Sequence, residues 1–263
     1  MAQIELNALS VITCGSFSAR VFLPEMDRLA LDDEGHQKKY PVLWLLHTEG
    51  GAAIDWLATP AERCAAQYGI FIVAPDQHHS LCTDMRFGPR YEHFMNTELP
   101  GICRNNLPLS PDPALNWIGG VGTGAYGAVK MALKHPETFS KALALNGILD
   151  LETICQKAAA GEETGIFHNK ASLEAVFGGL GSFHGSENDL YALAAKPAKG
   201  KFCLLWEVGC GVEAENRRMA GLLGQAATTE VLPQGADGGS CQTSLPAATA
   251  WLLGGCEKRG DKL

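Results

Sequence analysis

Five residues near the middle of the chain, Gly120-Val121-Gly122-Thr123-Gly124, follow an apolar run and precede a helical pattern. Strand, tight glycine-rich turn and helix form the setting in which a Gly-x-Ser-x-Gly turn presents a nucleophile. The flanking glycines are present, and Gly122 stands where the serine would be. Hydroxyl-based acyl transfer needs that nucleophile, a histidine to take its proton, and a carboxylate to orient the histidine. Thr123 is the adjacent hydroxyl. In such a turn, however, the residue after the nucleophile offers its backbone N–H to the developing oxyanion, with its side chain aimed elsewhere. Read as a phosphate loop, Gly122-x-Gly124-x-x-Gly127 fits Gly-x-Gly-x-x-Gly, but no clear acidic residue follows at a strand end about twenty positions on.

A second group of chemical side chains lies upstream. His47 ends one apolar run, and Asp76, His78 and His79 follow the next, with Cys82 and Asp84 close behind. Imidazole and carboxylate together suit several transition metals. The spacing matches no zinc motif, so a hydrogen-bonded polar rim stands beside a metal site as the reading of His47, His78 and His79. The nine cysteines are odd in number, irregularly spaced and without a Cys-x-x-Cys pair. With no basic and apolar leader pattern at the N-terminus, they read as reduced, mostly buried thiols of a cytoplasmic protein. No cofactor is indicated.

These groups need a scaffold. Tyr40–His47, Gly69–Pro75, Leu115–Gly120, Ser140–Asn146 and Lys201–Val208 are short apolar runs, as strands buried on both faces require. Ile4–Asn7 and Phe17–Leu23 read as opening strands, and Thr228–Leu232 as a last one. Helical patterns cover Thr59–Tyr68 (Thr59 as cap, Pro60 at the first position, Glu62 completing a capping box), Arg90–Asn105 with a break at Pro100, Gly124–Lys134, Ala214–Leu223 and Leu245–Leu253. Asp27–Lys39 reads as a polar loop, and His135 as a surface helix-end residue. Alternating buried strands and helices predict an α/β class with a mostly parallel sheet covered on both faces. The 263 residues then form one domain, 1–263, with 151–200 as an insertion or cap-like segment. Apolar residues at 46% supply a core, and the net charge of −8 argues against nucleic acid and anionic membranes as partners. Self-association stays open. In open α/β sheets the site lies at the carboxyl ends of the strands, where both groups above fall.

The chain also carries Ile4-Glu-Leu-Asn7, Val21-Phe-Leu-Pro-Glu25, Tyr40-Pro-Val-Leu-Trp-Leu-Leu-His47, Val73-Ala-Pro-Asp76 and Thr83-Asp-Met-Arg-Phe-Gly88. Glu98-Leu-Pro100, Tyr126-Gly-Ala128, Phe177-Gly178, Gly185-Ser-Glu-Asn-Asp-Leu190, Asn216-Arg217 and Trp251-Leu252 follow in order. In this order and spacing the chain resembles the esterase D-like group of α/β hydrolases, which includes S-formylglutathione hydrolases and tributyrin-type esterases. The resemblance covers nearly the whole length and implies an α/β-hydrolase fold and a Ser-His-Asp triad. It places the serine at Gly122, the acid at Cys210 with Glu213 the nearest carboxylate, and the histidine at Ala236 within Gly235-Ala236-Asp237. It places the oxyanion loop at His47-Thr48-Glu49, where the group has His-Gly. All three triad positions are thus substituted. Thr123, Cys210, Cys241, Glu213, Asp237 and the His47, His78 and His79 group could substitute, and a Cys210–Cys241 disulfide lacks support in a reducing compartment. The expectation is a catalytically inactive pseudoenzyme that binds a small ester, acid or sugar-like ligand, or a partner. The alternative is a working carboxylesterase that cleaves short-chain esters with substitute residues.

Overall fold

The computed structural model describes residues 2–25, 31–32, 35–165, 169–237 and 241–254. Its centre is an eight-stranded sheet: β1 (Ala2–Ser10), β2 (Gly15–Leu23), β3 (Val42–Leu46), β4 (Phe71–Pro75), β5 (Asn116–Val121), β6 (Lys141–Leu145), β7 (Lys201–Glu207) and β8 (Ala227–Leu232). The order is β1-β2-β4-β3-β5-β6-β7-β8. The β1–β2 and β2–β4 pairings are antiparallel, and β4 through β8 run parallel. Among the helices are α1 (Ala61–Tyr68), α2 (Tyr91–His93), α3 (Leu99–Asn106), α4 (Thr123–Lys134), α5 (Leu151–Ala159), α6 (Lys170–Phe177), α7 (Leu190–Ala194), α8 (Glu213–Leu223) and α9 (Ser244–Leu252).

The apolar runs are continuous because the central strands feed two cores. In β3, Val42, Trp44 and Leu46 point into one core with Tyr126, Val129 and Met131 of α4. Leu43 and Leu45 point the other way, into a core with Ala61, Cys64 and Ala65 of α1 and Leu245 and Ala248 of α9. Side chains alternate across a strand, so a strand covered on both faces has no polar side to show.

Three local expectations change. Helix α1 starts after Pro60, which occupies the cap position itself, and no capping box with Glu62 forms. The Thr59 hydroxyl still accepts a hydrogen bond from the Ala61 N–H at 3.2 Å. The expected break at Pro100 is a stretch of π-helix, Phe94–Glu98, directly before α3. His135 ends α4 as expected, but it is half-buried, with its Nε2 3.0 Å from Glu92 Oε1. The 151–200 segment carries α5, α6 and α7. The expected loop 27–39 and Cys256 fall partly or wholly outside the described residues. Among the described residues no helix is long and apolar enough to cross a membrane.

Candidate functional site

Strand β5 sits between β3 and β6 and delivers its last residues to the carboxyl edge of the sheet. The turn into α4 is very close-packed. A Cβ on Gly120 would overlap the Gly124 backbone, and one on Gly124 would overlap the Leu46 and His47 carbonyls. Only glycine fits at either position. Between them Gly122 adopts φ 57° and ψ −120° at the start of α4. An L side chain held in such a conformation costs about 1–3 kcal/mol, a strain that clusters at functional sites. The turn is anchored on β6, with Gly122 N–H donating to Leu145 O at 3.1 Å and Ile148 N–H to Gly122 O at 3.0 Å.

Beside this turn lies the loop after β3. The Thr123 hydroxyl accepts a hydrogen bond from the Glu49 N–H at 2.6 Å and lies 3.4 Å from Thr48 Oγ1. Thr123 is buried, so its hydroxyl serves the loop. The Glu49 side chain is only 4% exposed, and its Oε1 lies 3.7 Å from His79 Nδ1.

His47 is also buried. Its Nδ1 donates to the Thr48 carbonyl at 2.7 Å, and its Nε2 accepts from the Gln77 N–H at 3.1 Å, which assigns the neutral tautomer protonated at Nδ1. Burial pushes its pKa down. Both ring nitrogens are engaged with the protein. His78 packs edge-on against the Tyr91 ring, and His79 approaches Glu49. His47, His78 and His79, weighed as metal ligands, are therefore not drawn onto one point, and His47 fits a hydrogen-bonded rim instead. Among the described residues the ligand atoms that do converge are on Glu152, His184 and Asp189, within 4.8 Å of one another. Each has protein partners: His184 Nδ1 lies 2.7 Å from Glu152 Oε1, and Asp189 caps α7 through the Tyr191 and Ala192 N–H groups.

The remaining positions follow β7 and β8. Cys210 is half-buried in the turn before α8. Glu213 is at the first position of α8, and its carboxylate accepts from the Gly209 N–H at 2.6 Å. Ala236 is half-buried in the loop after β8. That loop is held by two carboxylates. Glu207 at the end of β7 accepts from the Gly235 N–H at 2.7 Å and the Asp237 N–H at 3.0 Å. Asp237, buried, accepts from the Thr243 and Ser244 N–H groups at 2.9 and 2.7 Å. Cys241 is a free thiol that burial pushes up to about 12, far from the thiolate a nucleophile needs. Cys210 is free as well, so no disulfide joins the two. Sequence reasoning did not single out Glu207, Gln77 or the contact of Thr48 with Gly122. Each depends on partners 28 to 74 residues away, which no local pattern encodes.

The same fold recurs in known proteins. A family model described as "Putative esterase" matches residues 16–198, from β2 through the elbow to the segment before β7. The chain belongs to this esterase family. The match includes Gly122 and ends before Cys210 and Ala236. An acetyl esterase of Caldicellulosiruptor saccharolyticus is 27% identical over 156 residues. That alignment covers 59% of this chain and 58% of the relative, so the chain spans little over half the length of the curated protein it matches. Two solved Staphylococcus aureus structures show the α/β-hydrolase fold. FphF, described as a fluorophosphonate-binding serine hydrolase with substrate bound, superposes with a TM-score of 0.83 at 23% identity, over 96% of this chain and 98% of that one. The S-formylglutathione hydrolase FrmB superposes with a TM-score of 0.79 at 24% identity, over the same shares.

Proposed function

We propose that this esterase-family chain keeps the hydrolase scaffold without serine ester hydrolysis and acts as a binding module. The observation that carries this reading is Gly122: the backbone of a nucleophile turn is kept, with no side chain to attack. Ala236 at the histidine position and Cys210 at the acid position support it. Losing a triad nucleophile or histidine costs on the order of 10⁶ in turnover. The residual of roughly 10³–10⁴ depends on oxyanion donors and binding. Here the Glu49 N–H is directed at the Thr123 hydroxyl and is taken up by that bond rather than aimed at an oxyanion.

Residues 1–263 act in this reading as one cytoplasmic domain, with 151–200 as an insertion or cap-like segment. A small ester, acid or sugar-like molecule is the ligand class, and self-association offers an alternative use of the surface. The rival, an esterase working through substitute groups, would use Thr123, which is hydrogen-bonded to the loop, Cys241, which is held as a thiol, the free thiol of Cys210, or the His47, His78 and His79 rim. Incubation with a fluorophosphonate followed by intact mass measurement separates the two. The binding reading expects unmodified protein. A stoichiometric adduct would sink it, and its position would locate the substitute nucleophile.

A further inference from the structure

We infer that Thr48 and Thr123 lock the elbow shut, so that position 122 accepts a side chain without displacing the facing loop only after Thr48 is removed. This rests on the reading of Gly122 as the vacated nucleophile position. A Cβ added at Gly122 would lie 2.5 Å from Thr48 Oγ1 and 3.2 Å from Thr48 Cβ. Turning the Thr48 side chain relieves the first contact but not the second, because its Cβ does not move with χ1. The backbone that carries Thr48 must shift.

That backbone is pinned from several directions. The Thr48 carbonyl accepts from His47 Nδ1 at 2.7 Å and from the Gly51 N–H at 3.0 Å. His47 is tied to Gln77 twice: its Nε2 accepts from the Gln77 N–H at 3.1 Å, and its carbonyl accepts from Gln77 Nε2 at 2.9 Å. The next residue, Glu49, donates its N–H to Thr123 Oγ1. On the elbow side, Gly124 abuts the Leu46 and His47 carbonyls, leaving no room for the turn to retreat. One threonine hydroxyl thus fills the place of a side chain at 122, and the other consumes the N–H of the facing loop. A carbonyl oxygen that sought this N–H would have to displace Thr123.

A double-mutant cycle on thermal stability tests the lock directly. Gly122→Ala adds only a Cβ and is expected to lower Tm by roughly 5–10 °C, combining backbone strain with overpacking. In the Thr48→Gly background the same change should lower Tm by less than half as much, leaving the backbone strain alone. Equal decreases in the two backgrounds would overturn the inference. If Gly122→Ala fails to fold, soluble protein should return when Thr48→Gly is added, and failure to return overturns it as well. Amide exchange supplies a second readout, since Thr123→Val should speed exchange of the Glu49 N–H and leave Leu145–Gly122 contacts protected; unchanged exchange at Glu49 contradicts the lock. Neither readout involves turnover, so an active native protein would remove the binding-module reading without deciding the lock.

Discussion

The elbow after β5, with Gly122 at its centre, and the loop after β8, with Ala236, both lack a reacting side chain at these positions, and their surroundings are built in different ways. At the elbow the frame is made of backbone: glycines at 120 and 124 allow contacts no other residue fits, and Gly122 holds a conformation that glycine adopts with little strain. The space above it is taken by Thr48 from another strand end. In the 235–237 loop the frame is made of side chains. Glu207 and Asp237 spend their carboxylates on backbone N–H groups, and Ala236 lies between them without a hydrogen-bonding side chain. A frame of backbone contacts holds its shape without a side chain at 122. A frame of carboxylates commits Glu207 and Asp237 to backbone N–H groups.

Substitutions should break the two frames to different degrees. Gly124→Ala is expected to be the most damaging, at more than about 4 kcal/mol, because its Cβ meets two carbonyls that cannot move away; thermal or denaturant unfolding of purified protein, or failure to obtain any, is the readout. Next comes the far end of the elbow helix. Lys130 is fully buried there, with its Nζ 2.5 Å from Thr83 Oγ1 and 3.5 Å from Glu92 Oε2. Burial alone would raise the Glu92 carboxyl, but His135, Lys130 and Lys134 outweigh it and hold its pKa at about 2. A depressed carboxyl contributes stability in full above its ordinary pKa and loses it as pH falls toward the folded value. Glu92→Gln should therefore cost about 3 kcal/mol at neutral pH by leaving Lys130 without its carboxylate. It should also flatten the stability loss below about pH 4.5, as urea unfolding across pH would show. The smallest effect is expected in the carboxylate frame, where Asp237→Ala should cost about 2 kcal/mol through two lost N–H acceptors, and Asp237→Asn should restore part of it. A larger cost at Asp237 than at Gly124 would invert the comparison.

Much of this was legible in the sequence because it is local. The apolar runs at Val42–Leu46 and Phe71–Pro75 mark strands covered on both faces, and glycines at 120, 122 and 124 mark a turn that tolerates no Cβ at its ends. The capping box at Thr59 failed because Pro60 takes the cap position, a choice between adjacent registers that composition does not settle. Of the two readings of His47, His78 and His79, the hydrogen-bonded one fits His47, whose ring nitrogens meet the backbone at Thr48 and Gln77, contacts that residue types alone do not reveal. The filling of the elbow was invisible because it sets Thr48 against Gly122 and joins Glu49 to Thr123 across more than seventy residues.

The central claim, that the scaffold has no working nucleophile and base, is tested most directly by hydrolysis of a short-chain nitrophenyl ester. The native protein should match a denatured control, while a variant combining Thr48→Gly, Gly122→Ser, Cys210→Asp and Ala236→His should turn the ester over. Turnover by the native protein well above the control would contradict the account.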